Sequence, residues 1–224
     1  MISISINGVD VFLEESEKSL QINNINEKDI NNIWETLIKS YPRHKIDFCF
    51  KDVPLPMDKL SQINATILDD CINMNLAPED YKACDNHHVL LLAEEDFEIF
   101  ANFYDSCEMD MDWSSRQIKK RLDIWRIFVT KVNGEISGYI TLMIPLKDAN
   151  LNVLFYGEIF AVNANSPDNH KALISAAAKY SFESRKREVV YMVDICDTKA
   201  CDAALAVGFK TVGFYKSYRA VIPG

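Results

Sequence analysis

The sequence lacks a long apolar run and lacks the features of a secretion signal. No apolar stretch approaches the roughly 18 to 20 residues that a transmembrane helix needs. The first residues alternate polar and apolar side chains, without the basic region, apolar stretch and cleavage site of a signal peptide. We therefore expect a soluble, cytoplasmic protein.

The chain also has no excess of basic residues. It carries 24 Lys and Arg residues against 33 Asp and Glu residues, which gives a net charge of -9. A field of this sign opposes broad binding to nucleic acid or to an anionic membrane. We expect neither partner, and any anionic ligand must be held by local groups.

Cysteine and histidine are too scattered to indicate a metal centre. The close pair His87 and His88 has no further histidine at ligand spacing, so we expect no metal. The cysteines lack paired spacing, and a chain of this size needs no disulfide framework. We expect all six to be reduced and mostly buried thiols: Cys49, Cys71, Cys84, Cys107, Cys196 and Cys201. Cys196 and Cys201 flank a predicted helix start, so a reactive thiol there is an open alternative.

The first 80 residues predict a small α/β unit. Apolar alternation on both sides of Asn7-Gly8 is typical of a tight hairpin. Apolar residues at helical spacing then follow Asn26, a good N-cap, and stop at Tyr41-Pro42. Residues 46–50 predict a strand, and a second helix is predicted from about Asp58 by the spacing of Leu60, Ile63, Ile67, Cys71 and Met74. A polar stretch at 77–86 is the best boundary between domains.

The remaining residues predict a larger unit of alternating elements. Residues 89–92 predict a strand, and two helices follow, one containing Phe97 to Tyr104 and one at 114–122. Two strands joined at Asn133-Gly134 predict an antiparallel pair. The pattern then continues as a strand at 153–162, a helix containing Leu173 and Tyr180, and a buried strand at 188–194. A helix at 197–207, ended by Gly208, and a last strand or hairpin at 209–222 complete it.

This order from His88 onward resembles the GNAT superfamily of acyl-CoA N-acyltransferases, over residues 88–222. Residues 125–140, with their Asn-Gly turn and Gly138, look like the second and third strands of the family. Residues 153–162 look like its fourth strand, and Ala200 with Val207-Gly208-Phe209 looks like its last helix. The resemblance implies an α/β (α+β) fold with a mixed central sheet and flanking helices over residues 88–224. It also makes residues 1–80 a possible degenerate half of a second such domain, although a lid or a homodimer surface is an equal alternative.

In this family the peptide groups of the fourth strand bind the pantetheine arm of acetyl-CoA, as an added strand would. The amides that open the next helix bind the pyrophosphate, because unsatisfied N–H groups and the helix dipole favour an anion. The resemblance therefore assigns acetyl-CoA binding to two groups of residues: Phe160, Ala161 and Val162 on the strand, and Asn169, His170, Lys171 and Ala172 on the helix.

The loop between strand and helix departs from the family pattern. The family's Gln or Arg and its two small residues fall at Asn165, Asp168 and His170, so side chains replace both small positions. Asp168 would repel pyrophosphate, and its simpler interpretation is a helix N-cap. His170 and Lys171 could donate to phosphate, with a surface histidine and a solvated lysine as the alternative.

Catalysis requires a base for the amine proton and often an acid for the departing thiolate. Glu158 is the candidate base, with an ordinary strand glutamate facing a polar cleft or solvent as the alternative. Gly157 beside it would suit a β-bulge. The family's tyrosine acid falls at Ala204, so Tyr215, Tyr191 or water would have to replace it. Acidic residues near the first helices of the domain either border a cationic acceptor or form a solvated surface: Glu94, Glu95, Asp96, Asp105, Glu108, Asp110 and Asp112.

Two functions remain open on these residues. The resemblance implies an N-acetyltransferase that passes an acyl group from acetyl-CoA directly to a small amine or a peptide amine. The departures at Asp168, His170 and Ala204 suit the alternative, a catalytically inert binding module of the same fold.

Overall fold

The computed structural model describes residues 2–107, 113–144 and 156–224, and the chain forms two compact units. The first contains Met1–Ile72 together with Gly213–Gly224, and the second contains Asn73–Val212. The sequence suggested a boundary near residue 80 and assigned the chain through residue 224 to the second domain. The last twelve residues instead join the first unit, because they pair with one of its strands.

The first unit is a sheet covered by a long helix. Strands β1 (Ile2–Ile6), β2 (Val9–Glu14) and β3 (Ser19–Asn23) form an antiparallel meander. Helix α1 (Glu27–Ser40) then leads to β4 (Lys45–Lys51), which is parallel to β3. Helix α2 (Met57–Gln62) follows. Strand β5 (Thr66–Leu76) begins in this unit and ends in the second, whereas the final strand β11 (Lys210–Val221) begins in the second unit and ends in this one.

Local signals at the start of the chain are confirmed. Asn7 and Gly8 both have positive φ, as the predicted hairpin turn requires. The Asn26 side chain accepts the Asp29 N–H and caps α1, which ends at Ser40 before Tyr41. The apolar face of α1 packs into a core formed with β2, β3 and β4.

The predicted second helix is wrong beyond its first turns. Helix α2 stops at Gln62, and Asn64 takes a positive φ that ends it. The helical spacing of Ile67, Cys71 and Met74 coincides with a strand, β5, whose Thr, Ile and Asn residues are poor helix formers. Strand β3 was missed altogether, since its apolar residues Leu20 and Ile22 are too few to form a clear pattern.

Five strands lie entirely within the described part of the second unit and form a sheet with helices on both faces. Its strands are β6 (Leu90–Leu91), β7 (Trp125–Val132), β8 (Glu135–Met143), β9 (Tyr156–Ala164) and β10 (Glu188–Asp194). They lie in the order β6-β7-β8-β9-β10, with every neighbouring pair antiparallel except the parallel pair β9 and β10. The prediction of an α/β fold with a mixed sheet is confirmed.

Four α-helices accompany this sheet in the described part of the unit. Helices α3 (Phe97–Ser106) and α4 (Ser115–Lys119) precede β7, α5 (Pro167–Glu183) connects β9 to β10, and α6 (Thr198–Val207) follows β10. Helix α3 packs on a core that includes Tyr139 and Ala161, while Ser181 of α5 approaches Gly157 from the other face of β9. The sheet therefore has an α3/α4 face and an α5 face.

The elements of this unit follow the sequence, with shorter ends. Asp197 caps α6 and Gly208 ends it with a positive φ, as predicted. Strand β6 has two residues instead of four, and α4 covers only five residues of the predicted 114–122. The predicted strand at 153–162 is observed from Tyr156, and residues 153–155 lie outside the described part of the chain. No helix in the described ranges combines the length and apolar character needed to cross a membrane.

Candidate functional site

Strands β9 and β10 pair over only part of their lengths. The parallel register runs from Tyr156↔Glu188 to Ile159↔Tyr191 and stops there. Beyond Ile159, β9 continues for five residues, to Ala164, which within the described residues pair only with β8. The side of β9 that faces away from β8 is therefore open from Phe160 onward, and this opening is the candidate binding slot.

A bulge in β9 occurs where the two strands separate. Leu142 of β8 opposes Ile159, whereas its neighbour Thr141 opposes Ala161. Phe160 lies between these two pairs and is the extra residue of the bulge. Thr141 Oγ1 accepts the Ala161 N–H at 3.1 Å. A bulge bends a strand and increases its twist, which favours divergence from one neighbour.

The predicted bulge at Gly157 is wrong, since Gly157 pairs in register with Val189. Its missing side chain has a different use. A Cβ at Gly157 would overlap Ser181 Oγ of α5 and would lie 3.2 Å from Ile144 Cδ1. Gly157 thus permits the close approach of α5 to β9.

Glu158 lies on the α3/α4 face of the sheet, immediately before the slot. Its cross-strand partners are Met143 on β8 and Val190 on β10, and Met143 packs on the core of that face. Burial raises the pKa of the Glu158 carboxyl above its ordinary value. A carboxylate with a raised pKa beside a slot suits a general base.

An aromatic cluster shares this face with Glu158. The Trp125 and Phe160 rings are 5.1 Å apart, and Trp113 lies 5.5 Å from Trp125 and 6.4 Å from Phe160. Trp125 is buried, whereas Trp113 and Phe160 are half-buried. The indole N–H of Trp125 has no hydrogen-bond partner among the described residues. Sequence reasoning missed this cluster, because the three residues lie on separate elements and show no common spacing.

The N-terminus of α5 is capped by Ser166, and the prediction that Asp168 is the cap is wrong. Ser166 Oγ accepts the Asn169 N–H at 3.2 Å, and Ser166 O accepts the His170 N–H at 3.0 Å. Pro167 occupies the first helical position and has no N–H to donate. Serine is a good N-cap residue and proline is favoured at the first helical position, so the Ser166-Pro167 pair places the cap before Asp168.

Asp168 and Lys171 form an ion pair at this helix end. The Asp168 side chain is 92% exposed, and its Oδ1 lies 3.4 Å from Lys171 Nζ. Lys171 is half-buried rather than freely solvated. The positive charge predicted to offset Asp168 is thus already paired with it.

His170 does not lie on the surface, so that alternative is wrong. It is 6% exposed, burial lowers the pKa of its imidazole, and Nε2 has no partner among the described residues. Asn169 faces outward, with its Oδ1 2.9 Å from His88 Nε2 and its Nδ2 donating to Asn165. Ala172 is buried.

The candidate acids are each held in their own surroundings. Tyr215 belongs to the first unit, where its hydroxyl donates to Cys49 Sγ at 3.2 Å and burial raises the pKa of the phenol well above its ordinary range. Tyr191 on β10 is buried, with its ring 6.3 Å from Phe209, and Ala204 is buried in α6. Of the acidic residues near α3, Asp105 accepts from Ser115 Oγ at 2.8 Å, while residues 108, 110 and 112 lie outside the described ranges.

The first unit contains a similar strand pair with no slot. As in the second unit, a meander leads through a helix to a parallel strand, here β3, α1 and β4. The register of β3 with β4 covers all of Ser19–Asn23. The Asn24 N–H then donates to Cys49 O at 2.7 Å, and Asn24 Oδ1 accepts the Lys51 N–H at 2.8 Å. These bonds hold β3 and β4 together at the position that corresponds to the separation of β9 from β10 in the second unit.

Solved structures with the same fold cover nearly the whole chain. A functionally unknown conserved protein from Staphylococcus epidermidis is 15% identical, with a TM-score of 0.67, over 98% of this chain and 93% of that one. A GCN5-related N-acetyltransferase from Sphaerobacter thermophilus is 13% identical, with a TM-score of 0.64, over 96% and 76%. A tandem GNAT protein from the clavulanic acid biosynthesis pathway is 12% identical, with a TM-score of 0.59, over 96% and 79%.

These similarities confirm the resemblance at the level of the fold, which is that of the GNAT superfamily. No protein-family model matches the chain, and a search of curated proteins found no match.

Proposed function

We propose that this chain, which has the GNAT fold, is an N-acyltransferase that moves an acyl group from acetyl-CoA or a similar acyl-CoA to a primary amine. The separation of β9 from β10 after Ile159 carries the proposal. It opens the peptide groups of the segment that contains Phe160, Ala161 and Val162. A pantetheine arm can bind such groups as an additional strand would.

In the proposed reaction the amine nitrogen attacks the thioester carbonyl directly. A C–N bond forms, the C–S bond breaks, and the amine loses one proton. Glu158 takes this proton, directly or through one water, because its raised pKa makes it a stronger base than an exposed carboxylate. The sulfur leaves as a thiolate, and no covalent intermediate with the enzyme forms.

The leaving thiolate needs a proton, and water is the proposed donor. Tyr215 belongs to the first unit, where its hydroxyl already donates to Cys49 Sγ. Replacing Tyr215 with phenylalanine is therefore expected to leave turnover and donor affinity unchanged. A loss of turnover in this variant would contradict the assignment to water.

The acceptor site is proposed on the α3/α4 face, beside Glu158. Met143, Phe160 and Trp113 provide its apolar part, and Glu158 provides its negative charge. A small amine or a peptide amine would place its nitrogen at the carboxylate and its carbon atoms against the rings.

The experiment is a turnover assay with acetyl-CoA and a panel of amines, read as release of free thiol and as mass gain of the acceptor. We expect acyl transfer to at least one amine. Glu158→Gln should reduce turnover by about a hundredfold or more, which is the usual contribution of a general base. The matched control is Glu135→Gln, which replaces an exposed carboxylate on β8 and should leave turnover unchanged.

The competing proposal is a catalytically inert module with the same fold. Ala204 in place of the family's tyrosine and the occupied first turn of α5 favour it. No turnover with any amine, together with no binding of any pantetheine compound, would support this alternative and overturn the transferase proposal.

We also propose that the first unit is a degenerate half of a GNAT domain. Its β1-β2-β3-α1-β4 order repeats the β7-β8-β9-α5-β10 order of the second unit. Since β3 and β4 remain paired throughout, this half is proposed to bind no thioester. One donor site per chain is therefore expected in an equilibrium binding titration.

A further inference from the structure

The first turn of α5 has little capacity left to bind an anion. Four amide positions open a helix without intrahelical partners. In α5 these positions are Ser166 to Asn169, of which Pro167 has no N–H and Asn169 donates to Ser166 Oγ. The Ser166 and Asp168 N–H groups have no bond among the described residues, and the second belongs to the one residue there that carries a negative charge.

The side chains around this turn do not compensate. The Asp168 carboxylate is exposed and would repel phosphate, and Lys171 is already paired with it. His170 is buried with a lowered pKa, so its imidazole is neutral and turned away from solvent. Asn169 is held by His88 and Asn165. The residues present do not fit the pyrophosphate of coenzyme A.

The pantetheine slot is intact a few residues earlier in the chain. Phe160–Ala164 are paired on one side only, and the bulge at Phe160 keeps β9 directed away from β10. The two halves of a coenzyme A site thus differ. The strand half is open, and the helix half is obstructed by Pro167, by the Ser166 cap and by the charge of Asp168.

We infer that the acyl donor is recognised through its thioester and pantetheine arm, with no net contribution from the nucleotide. The ligand class is therefore pantetheine thioesters, whether or not they carry a nucleoside diphosphate. This inference rests on the proposed transferase function and refines its donor. The reaction is unchanged: the C–N bond forms, the C–S bond breaks, and the free thiol of the arm is released.

Binding provides the first test, because it does not depend on knowing the acceptor. A ligand that binds the folded state raises the melting temperature by mass action. We expect pantetheine and coenzyme A to raise it equally at equal concentration, and adenosine diphosphate to have no effect. A shift with coenzyme A and adenosine diphosphate but none with pantetheine would overturn the inference.

Kinetics provide the second test, with acetyl-CoA and S-acetylpantetheine as donors. The two kcat/KM values should agree within about threefold, which is less than half of one 1.4 kcal/mol step. A working cradle of two charge-assisted hydrogen bonds would instead favour acetyl-CoA by roughly a hundredfold or more. That larger ratio would overturn the inference and leave the transferase function standing. Failure of both donors, with no binding of pantetheine, would remove both proposals.

A substitution in the first turn of α5 tests whether Asp168 prevents the nucleotide from contributing to binding. Asp168→Gly removes the repelling charge and frees Lys171, so it should tighten coenzyme A severalfold and leave pantetheine unchanged. Glu183→Gln is the matched control, since it removes an exposed acid at the other end of the same helix. Equal effects of both variants, or weaker coenzyme A binding in Asp168→Gly, would contradict the assignment of the loss to this turn.

Discussion

At the scale of single residues, the burial of Glu158 has consequences for stability as well as for activity. Its folded-state pKa is raised, so ionisation opposes folding. The contribution of the protonated carboxyl is fully present below the ordinary carboxyl pKa and is lost as pH rises through the raised value. Catalysis has the opposite requirement, because only the ionised form accepts a proton.

Glu158→Gln should therefore have pH-dependent stability relative to the natural chain. The melting temperatures of the two should agree at about pH 4, near the ordinary carboxyl pKa. The variant should become the more stable one as pH rises through the raised pKa, because glutamine never ionises. Thermal unfolding from pH 4 to 8 measures this, with Glu135→Gln as the exposed control. A variant less stable at pH 8 would show that the ionised carboxylate is stabilised in the fold.

At the scale of elements, the contact of α5 with β9 depends on one missing side chain. Gly157→Ala would place a Cβ against Ser181 Oγ and should destabilise the fold by about 1–3 kcal/mol, as overpacking does. Ser181→Ala should be nearly neutral, because its buried Oγ has no partner among the described residues.

The double variant Gly157→Ala, Ser181→Ala should recover part of the lost stability, because it removes the overlapping Oγ. The recovery should be incomplete, since Ser181 Cβ would remain 3.1 Å from the new methyl group. Urea unfolding of the three variants gives the coupling energy. Strictly additive costs would mean that the helix moves away instead of holding its position.

The elements also show which parts of the fold are readable from the sequence. Both Asn-Gly hairpins, the Asn26 cap and the end of α6 at Gly208 were predicted, because each depends on a few neighbouring residues. The strand β5 was mistaken for a helix, since pairing with distant strands overrode a helical spacing of apolar residues.

The candidate site was only partly predictable for the same reason. Glu158 and the Phe160 segment were found from the resemblance of one strand. The burial of His170 and the Trp113, Trp125 and Phe160 cluster depend on contacts between separate elements, which no local pattern records.

At the scale of the whole molecule, the end of the chain completes the first unit. Residues Tyr215–Val221 pair with Lys51–Lys45 of β4, and the Arg219 guanidinium donates to both Asp47 carboxylate oxygens at 2.7 and 2.8 Å. Ile222 is fully buried in the core of that unit.

Ile222→Ala should therefore destabilise the first unit by about 2–5 kcal/mol, the usual cost of removing a buried isoleucine side chain. Val221→Ala is the control, because the neighbouring side chain is 62% exposed and its loss should cost no more than about 0.5 kcal/mol. Trp34 packs on the same core, so urea unfolding followed by fluorescence reports on this unit when Trp113 and Trp125 of the second unit are replaced by phenylalanine. Equal costs for the two variants would show that the C-terminal residues add nothing to the core.

The position of β11 near the end of this sequence also imposes an order on biosynthesis. When β4 emerges from the ribosome, the strand that will cover its edge is still unmade, about 164 residues downstream. At cellular translation rates of 5–20 residues per second, that edge waits for roughly 8–30 s. Nascent chains caught in this interval should be sensitive to protease at α1 and β4, and should depend on chaperones that shield exposed β-edges until the last strand arrives.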